Sequence, residues 1–138
     1  MTSLYPRSQI DLYCEILQSD SAIILAACIN AATLALVDAG VPMRDYVCAV
    51  TCGMAEELPI ADISYAEQST GSSGAELTLA ILPRSEEIVL LELTSRLHHE
   101  RLERLVDFAA KACKDIHAVL DKSVRAHITS VAENLSCD

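Results

Sequence analysis

The stretch that decides the fold is Ala26–Asp45, which reads AACINAATLALVDAGVPMRD. It begins with a nearly continuous apolar run in which Asn30 and Thr33 are the only polar side chains. A helix without a polar face is typical of one that is buried on all sides. Gly40 suits the left-handed position after a helix, and Pro42 cannot continue one. We therefore predict a buried, alanine-rich helix that ends just before Gly40.

Strand patterns flank this helix on both sides. Ser8–Leu17 alternates apolar and polar side chains with a period of two, which is typical of a half-buried strand. Asp20 or Ser21 can then cap the helix. Further strands are predicted for four segments: Tyr46–Thr51, Leu58–Ile63, Glu76–Leu82 and Ile88–Leu93. The last two strands form an apparent hairpin, and the sequence QSTGSSG at residues 68–74 is the clearest loop.

The last third of the chain predicts one long amphipathic helix. Apolar side chains recur at steps of three and four residues from about His99 to Ile128, and charged side chains occupy the other face. Strand, helix, several strands and a final helix make an α+β order. We predict a single domain over residues 1–138, with a mixed or antiparallel sheet, the buried alanine-rich helix and the long helix at the C-terminal end.

The charge and the cysteine content of the chain narrow the range of functions that it could have. The formal net charge is −10, with 20 acidic and 10 basic residues, whereas a chain that binds nucleic acid alone normally presents a basic face. The charge therefore favours a role that depends on partners. Met1–Arg7 has no apolar leader, so we expect the six cysteines to be reduced and intracellular. Their spacing predicts no metal site, and no apolar stretch is long enough to span a bilayer.

Three consecutive segments carry a resemblance to a known family. YPRSQIDLYCEILQSD from Tyr5, the stretch Ala26–Asp45 and DYVCAVTCG from Asp45 resemble the RNase PH family. The similarity runs from about Tyr5 to His127, yet it corresponds to only the C-terminal half of a family member. The resemblance implies half of the RNase PH fold, which is similar to domain 2 of ribosomal protein S5.

The resemblance also implies where a catalytic site would lie. RNase PH enzymes cleave RNA from its 3′ end with inorganic phosphate, and two carboxylates six residues apart hold a divalent metal and serve the acid step. Asp62 takes the first of these places. The second is Gln68, whose amide cannot ionise or supply the charge that a hard cation prefers. Glu67 is adjacent to it, but a shift of one residue turns a side chain in another direction.

The family's phosphate-binding segment is altered as well. The resemblance implies a Gly-Thr-Arg segment at a helix N-terminus, where backbone N–H groups and the arginine hold the anion. This chain has no glycine and no arginine in that segment. The positions are occupied by Ser21, Ala22, Ile23 and Ile24. The sequence therefore predicts no catalytic residue, no metal and no cofactor.

The function that the resemblance implies is structural. We expect a non-catalytic RNase PH-like subunit in the core ring of the RNA exosome, where it contributes to 3′–5′ RNA processing and degradation, including that of ribosomal RNA. Its partners would be other RNase PH-like subunits, with RNA reached only through the assembled channel and no membrane contact. The expected locations are the nucleus, nucleolus and cytoplasm.

Two alternatives stay open at this point. The chain could be a divergent phosphate-dependent 3′–5′ exoribonuclease that uses Asp62 and Glu67 and is completed by a partner chain. It could also be a truncated isoform without a ring function. Such an isoform would expose apolar surface and tend to associate.

Overall fold

A computed structural model describes residues 6–18, 23–55, 57–64 and 75–135. Its elements are α1 (Ile24–Asp38), β1 (Cys48–Ala55), β2 (Leu58–Ala61), β3 (Glu76–Leu82), β4 (Glu87–Leu93) and α2 (His99–Leu135). The four strands form one antiparallel sheet in the order β2-β1-β3-β4. The predicted α+β class is confirmed, and β3 has the predicted bounds.

The main core lies between the sheet and α2. Leu105, Ala109 and Cys113 are fully buried at steps of four residues, so they form one stripe along the helix. They pack against alternate residues of β1 and β3, which are Cys48, Val50, Cys52, Leu77, Leu79 and Ile81. The predicted long helix is confirmed and extends beyond Ile128 to Leu135. Neither helix in the described ranges combines the length and the apolarity that crossing a membrane requires.

Helix α1 forms where it was predicted, but it is not buried on all sides. Gly40 follows it with a φ of 67°, as expected for a left-handed C-terminal residue. Only Ala26 and Thr33 are fully buried in the helix. The opposite face is exposed at Leu25, Ala27, Ala31 and Ala35. The prediction of complete burial is wrong because the sheet covers α1 from one side only.

Asn30 and Thr33 of α1 face the sheet. They bind the backbone at the start of β1 and just before it. Asn30 Nδ2 donates to the Ala49 carbonyl, and the Ala49 N–H donates to Asn30 Oδ1, both at 2.9 Å. The Thr33 hydroxyl lies 2.8 Å from the Val47 carbonyl. Strand β2 pairs with β1 only over Cys52–Ala55. Side chains of α1 thus serve as hydrogen-bond partners of β1 where β2 does not pair with it.

Thr33→Val is expected to lower the free energy of unfolding by about 1 kcal/mol. Valine keeps the shape of the side chain, but the half-buried Val47 carbonyl loses its hydroxyl donor. The same hydroxyl is 3.0 Å from the Ile29 carbonyl, a contact within the helix. Urea unfolding would measure the difference, with Thr33→Ser as the control because serine keeps the hydroxyl. Equal losses in both variants would contradict the hydrogen-bond explanation.

The strand predicted at Ser8–Leu17 is wrong. The segment has no strand structure, although its sequence alternates, because a strand also needs a neighbouring backbone and no described strand pairs with it. Residues 12–18 instead lie beside the exposed face of α1, and the two enclose an open cavity of about 550 Å³. The helix begins with Ile23 as its N-cap residue. The proposed caps Asp20 and Ser21 and the loop at 68–74 lie outside the described residues.

Candidate functional site

Asp62 follows strand β2 directly and has a left-handed conformation. Its φ is 62°, and its N–H donates to the Thr51 carbonyl at 2.9 Å. Its exposed carboxylate forms no hydrogen bond or ion pair with any residue that the structure describes. Burial raises the pKa of the Cys52 thiol to about 12, and the charge of Asp62 contributes to that increase. These contacts are those of an aspartate in a turn at the end of a strand.

Asp62→Gly is expected to be more stable than Asp62→Ala by about 1 kcal/mol, because a left-handed φ costs a residue with a Cβ and costs glycine little. Chemical unfolding of the two variants would measure the difference. Asp107 is exposed and helical, so the same pair of substitutions there should give the opposite order by about 1 kcal/mol. The same order at both positions would contradict the conformational explanation.

The other implied site positions are described only in part. Gln68, its neighbour Glu67, Ser21 and Ala22 lie outside the described residues. Ile23 and Ile24 are half-buried at the start of α1, and among the described residues no side chain caps this end of the helix. Aliphatic side chains supply neither the close backbone approach of glycine nor the charge of arginine. At these two positions the helix start has no group that could hold a phosphate specifically.

The buried thiols do not form a reactive or metal-binding cluster. Burial raises the pKa of Cys48 to about 11 and that of Cys113 to about 12, so these thiols stay protonated at neutral pH. The Cys113 thiol donates to the Leu79 carbonyl at 3.6 Å. In the part of the chain that the structure describes, His, Cys, Asp and Glu side chains form no group of three suited to a metal ion.

One cluster was not foreseen from the sequence. The Asp45 carboxylate accepts from the backbone N–H groups of Tyr46 and Arg84, each at 2.9 Å. Three arginines from separate elements line one cavity of about 460 Å³. We call this cavity, lined by Arg44, Arg84, Arg125, Tyr46, His117, Asp45 and Asp121, the arginine pocket. No local motif predicts it, because its members are far apart in the sequence.

The family comparison divides the chain at the turn between α1 and β1. Residues 1–42 match the profile described as "3′ exoribonuclease family, domain 1". Residues 45–112 match "3′ exoribonuclease family, domain 2". The two matches together take in α1, the whole sheet and the first part of α2.

Individual relatives carry the same family assignment. The human exosome complex component RRP41 is 50% identical over 128 residues, which are 93% of this chain and 51% of that protein. The mouse protein of the same name is 47% identical, over 98% of this chain and 54% of its own length. Rrp41 of the archaeon Thermoplasma acidophilum is 36% identical, over 86% of this chain and 47% of its own. The chain spans about half the length of these relatives. It belongs to the RNase PH family of 3′ exoribonuclease domains and is an Rrp41-like member of that family.

Proposed function

We propose that this chain is a non-catalytic, Rrp41-like subunit of the exosome core ring and contributes to RNA processing and degradation as a structural component. The observation that carries the proposal is the loss of chemistry at the family's site positions. Ile23 and Ile24 stand where the phosphate segment would be, and Gln68 stands where the second carboxylate would be. Phosphorolysis needs an anion and a metal held together, and these residues supply neither the arginine nor the second carboxylate that would hold them.

Partners and location belong to the same proposal. The relatives are named as exosome components, and a net charge of −10 argues against binding of an extended stretch of RNA backbone by an isolated chain. RNA would therefore be reached through a channel whose basic surface other RNase PH-like subunits supply. We propose the nucleus, the nucleolus and the cytoplasm as the locations of this assembly.

An RNA-shortening assay tests the non-catalytic part. The chain, together with the partners that it recruits, is incubated with a 5′-labelled RNA, with and without inorganic phosphate. We expect no phosphate-dependent shortening by this chain, and Asp62→Ala should change nothing. Phosphate-dependent shortening that Asp62→Ala abolishes would establish the enzymatic alternative. The exposed carboxylate of Asp62, which forms no hydrogen bond or ion pair with the residues that the structure describes, is the observation that favours this alternative.

Purification of a tagged chain from native lysate tests the ring. We expect the other RNase PH-like subunits in near-equal amounts by quantitative mass spectrometry. Recovery of the chain alone, or with chaperones, would contradict the proposal and favour an isoform without a ring function. The exposed apolar face of α1 gives that third alternative its own expected behaviour, which is self-association of the isolated chain.

A further inference from the structure

The arginine pocket lies where four parts of the fold converge. The end of α1 and the turn after it supply Val37, Gly40 and Arg44, and the turn between β3 and β4 supplies Arg84. The middle of α2 supplies His117, Asp121 and Arg125. The pocket adjoins the C-terminal end of α1, whereas Ile23 and Ile24 are at its N-terminal end, about 20 Å away along the helix. It is therefore separate from the family's phosphate segment.

The charges of the pocket favour an anion. Asp45 is nearly buried, with 8% of its side chain exposed, and two backbone N–H groups occupy its carboxylate. Asp121 is bound to Arg125 at 2.7 Å. Arg84 is 83% exposed, and among the described residues its one ion pair is a long contact of 3.7 Å with Asp45. Arg44 forms no hydrogen bond or ion pair with the described residues. Among the described residues, the guanidinium groups of Arg44 and Arg84 thus leave most of their N–H donors unpaired. The chain as a whole is strongly acidic.

The pKa of Asp121 reflects the positive charges around it. The hydrogen bond from Arg125 lowers the pKa of Asp121, and the charges of Arg125, His117 and Arg84 contribute further. The dipole of α1 acts in the opposite direction, because a helix C-terminus disfavours anions. However, the carbonyls of Ala35, Leu36 and Val37 accept from the N–H groups of residues 39–41, so the last turn is closed.

An aromatic pair completes one wall. The rings of Tyr46 and His117 are 5.4 Å apart and tilted by 56°, and both residues line the cavity. Aromatic side chains stack with nucleobases irrespective of the base, while arginines bind phosphate with two parallel hydrogen bonds. The cavity volume also falls within the range of small-molecule sites.

We propose that the arginine pocket binds a nucleotide, either free or within an RNA chain, through its phosphate group. Arg44 and Arg84 hold the phosphate, and the base lies against the Tyr46–His117 wall. Arg125, bound to Asp121, keeps that side of the pocket in place. The proposal stands apart from the proposed ring function, because binding is a property of this chain and requires no catalysis and no partner.

Isothermal titration calorimetry with the full chain tests the site, with adenosine 5′-monophosphate as the probe and adenosine as the comparison. The monophosphate should bind and adenosine should bind at least about tenfold more weakly, since only the first carries the charge that the arginines recognise. Equal affinities for the two compounds, or no binding of the monophosphate, would overturn the proposal.

Variants locate the binding in the pocket. Arg44→Gln and Arg84→Gln should each weaken the monophosphate about tenfold. Arg104→Gln is the matched control, because Arg104 is exposed on α2 outside the pocket and the substitution changes the net charge equally. The folded state survives Arg44→Gln, since Arg44 has no partner among the described residues to lose. Equal weakening by the control and the pocket variants would mean nonspecific attraction and overturn the site.

Competition distinguishes the two sources of the phosphate. A short oligoadenylate without terminal phosphates either displaces the monophosphate or leaves it bound. Displacement that Arg44→Gln weakens supports an RNA backbone as the ligand, and it should fall with added salt. Failure of the oligoadenylate to displace a bound monophosphate supports a free nucleotide. Displacement that is unchanged in Arg44→Gln places the RNA elsewhere and overturns the RNA form of the proposal.

Discussion

Asn30→Leu is expected to lower the free energy of unfolding by about 2 to 4 kcal/mol. The Asn30 amide is both donor and acceptor for the backbone of Ala49, a residue with no exposed surface. Leucine has a similar size, so the helix keeps its packing volume. The N–H and the carbonyl of Ala49 then stay buried without partners, and each loses the hydrogen bond that it makes to water in the unfolded chain.

Urea unfolding followed by circular dichroism would measure this loss. Asn134→Leu is the matched control, because this substitution makes the same chemical change at an exposed position in the last part of α2. We expect the control to stay within about 0.5 kcal/mol of the unchanged chain. Similar losses at both positions would show that the cost comes from removing an amide from a helix rather than from the unpaired backbone of Ala49.

Alkaline pH is expected to unfold the protein cooperatively at about pH 10.5, well before its arginines titrate. The pKa of the Cys48 thiol is raised to about 11, and those of Cys52 and Cys113 to about 12, chiefly by burial. In the unfolded chain these thiols lose their protons near their ordinary value of 9.0. The folded state therefore binds more protons above that pH, so its stability is complete below it and falls as the pH rises.

The size of this effect follows from the shifts. Each pH unit above the ordinary thiol pKa costs about 1.4 kcal/mol for each buried thiol, or about 2 kcal/mol per thiol at about pH 10.5. The three thiols together then remove about 6 kcal/mol, which is comparable to the whole stability of a small domain.

Chemical unfolding between about pH 8 and pH 10 would measure the slope of stability against pH. Cys113→Ala should reduce that slope by about a third, because one of the three buried thiols is gone. Cys14→Ala is the control, since Cys14 is exposed. An unchanged slope in Cys113→Ala would rule out the buried thiols as its cause.

The elements that the sequence predicted well are those with a complete local signal. The alternation of β3, the helical period of α2 and the Gly40 stop of α1 are each contained in one segment, so no distant partner was needed to recognise them. The period-two pattern of Ser8–Leu17 was equally clear and still misleading. Alternation reports which side chains share a face, whereas strand structure depends on a neighbouring backbone that this segment does not have among the described residues.

The orientation of α1 and the arginine pocket could not be predicted for a related reason. Asn30 and Thr33 interrupt an apolar helix in the sequence, and only their tertiary contacts show that the polar side chains face inward. Arg44, Arg84 and Arg125 likewise meet only because a turn, a hairpin and the long helix converge.

The hydrogen bonds from α1 to Val47 and Ala49 cross the boundary between the two family profiles. That boundary therefore does not separate two independent structural units. The helix belongs to the first profile and the strand to the second, and the break falls at residues 43–44 between them. A piece cut there would keep all four strands and the long helix. Without α1, the backbone at the start of β1 and just before it would lose its hydrogen-bond partners. A strand of another chain could then pair with this exposed edge. The smallest self-contained unit of this fold therefore begins before α1.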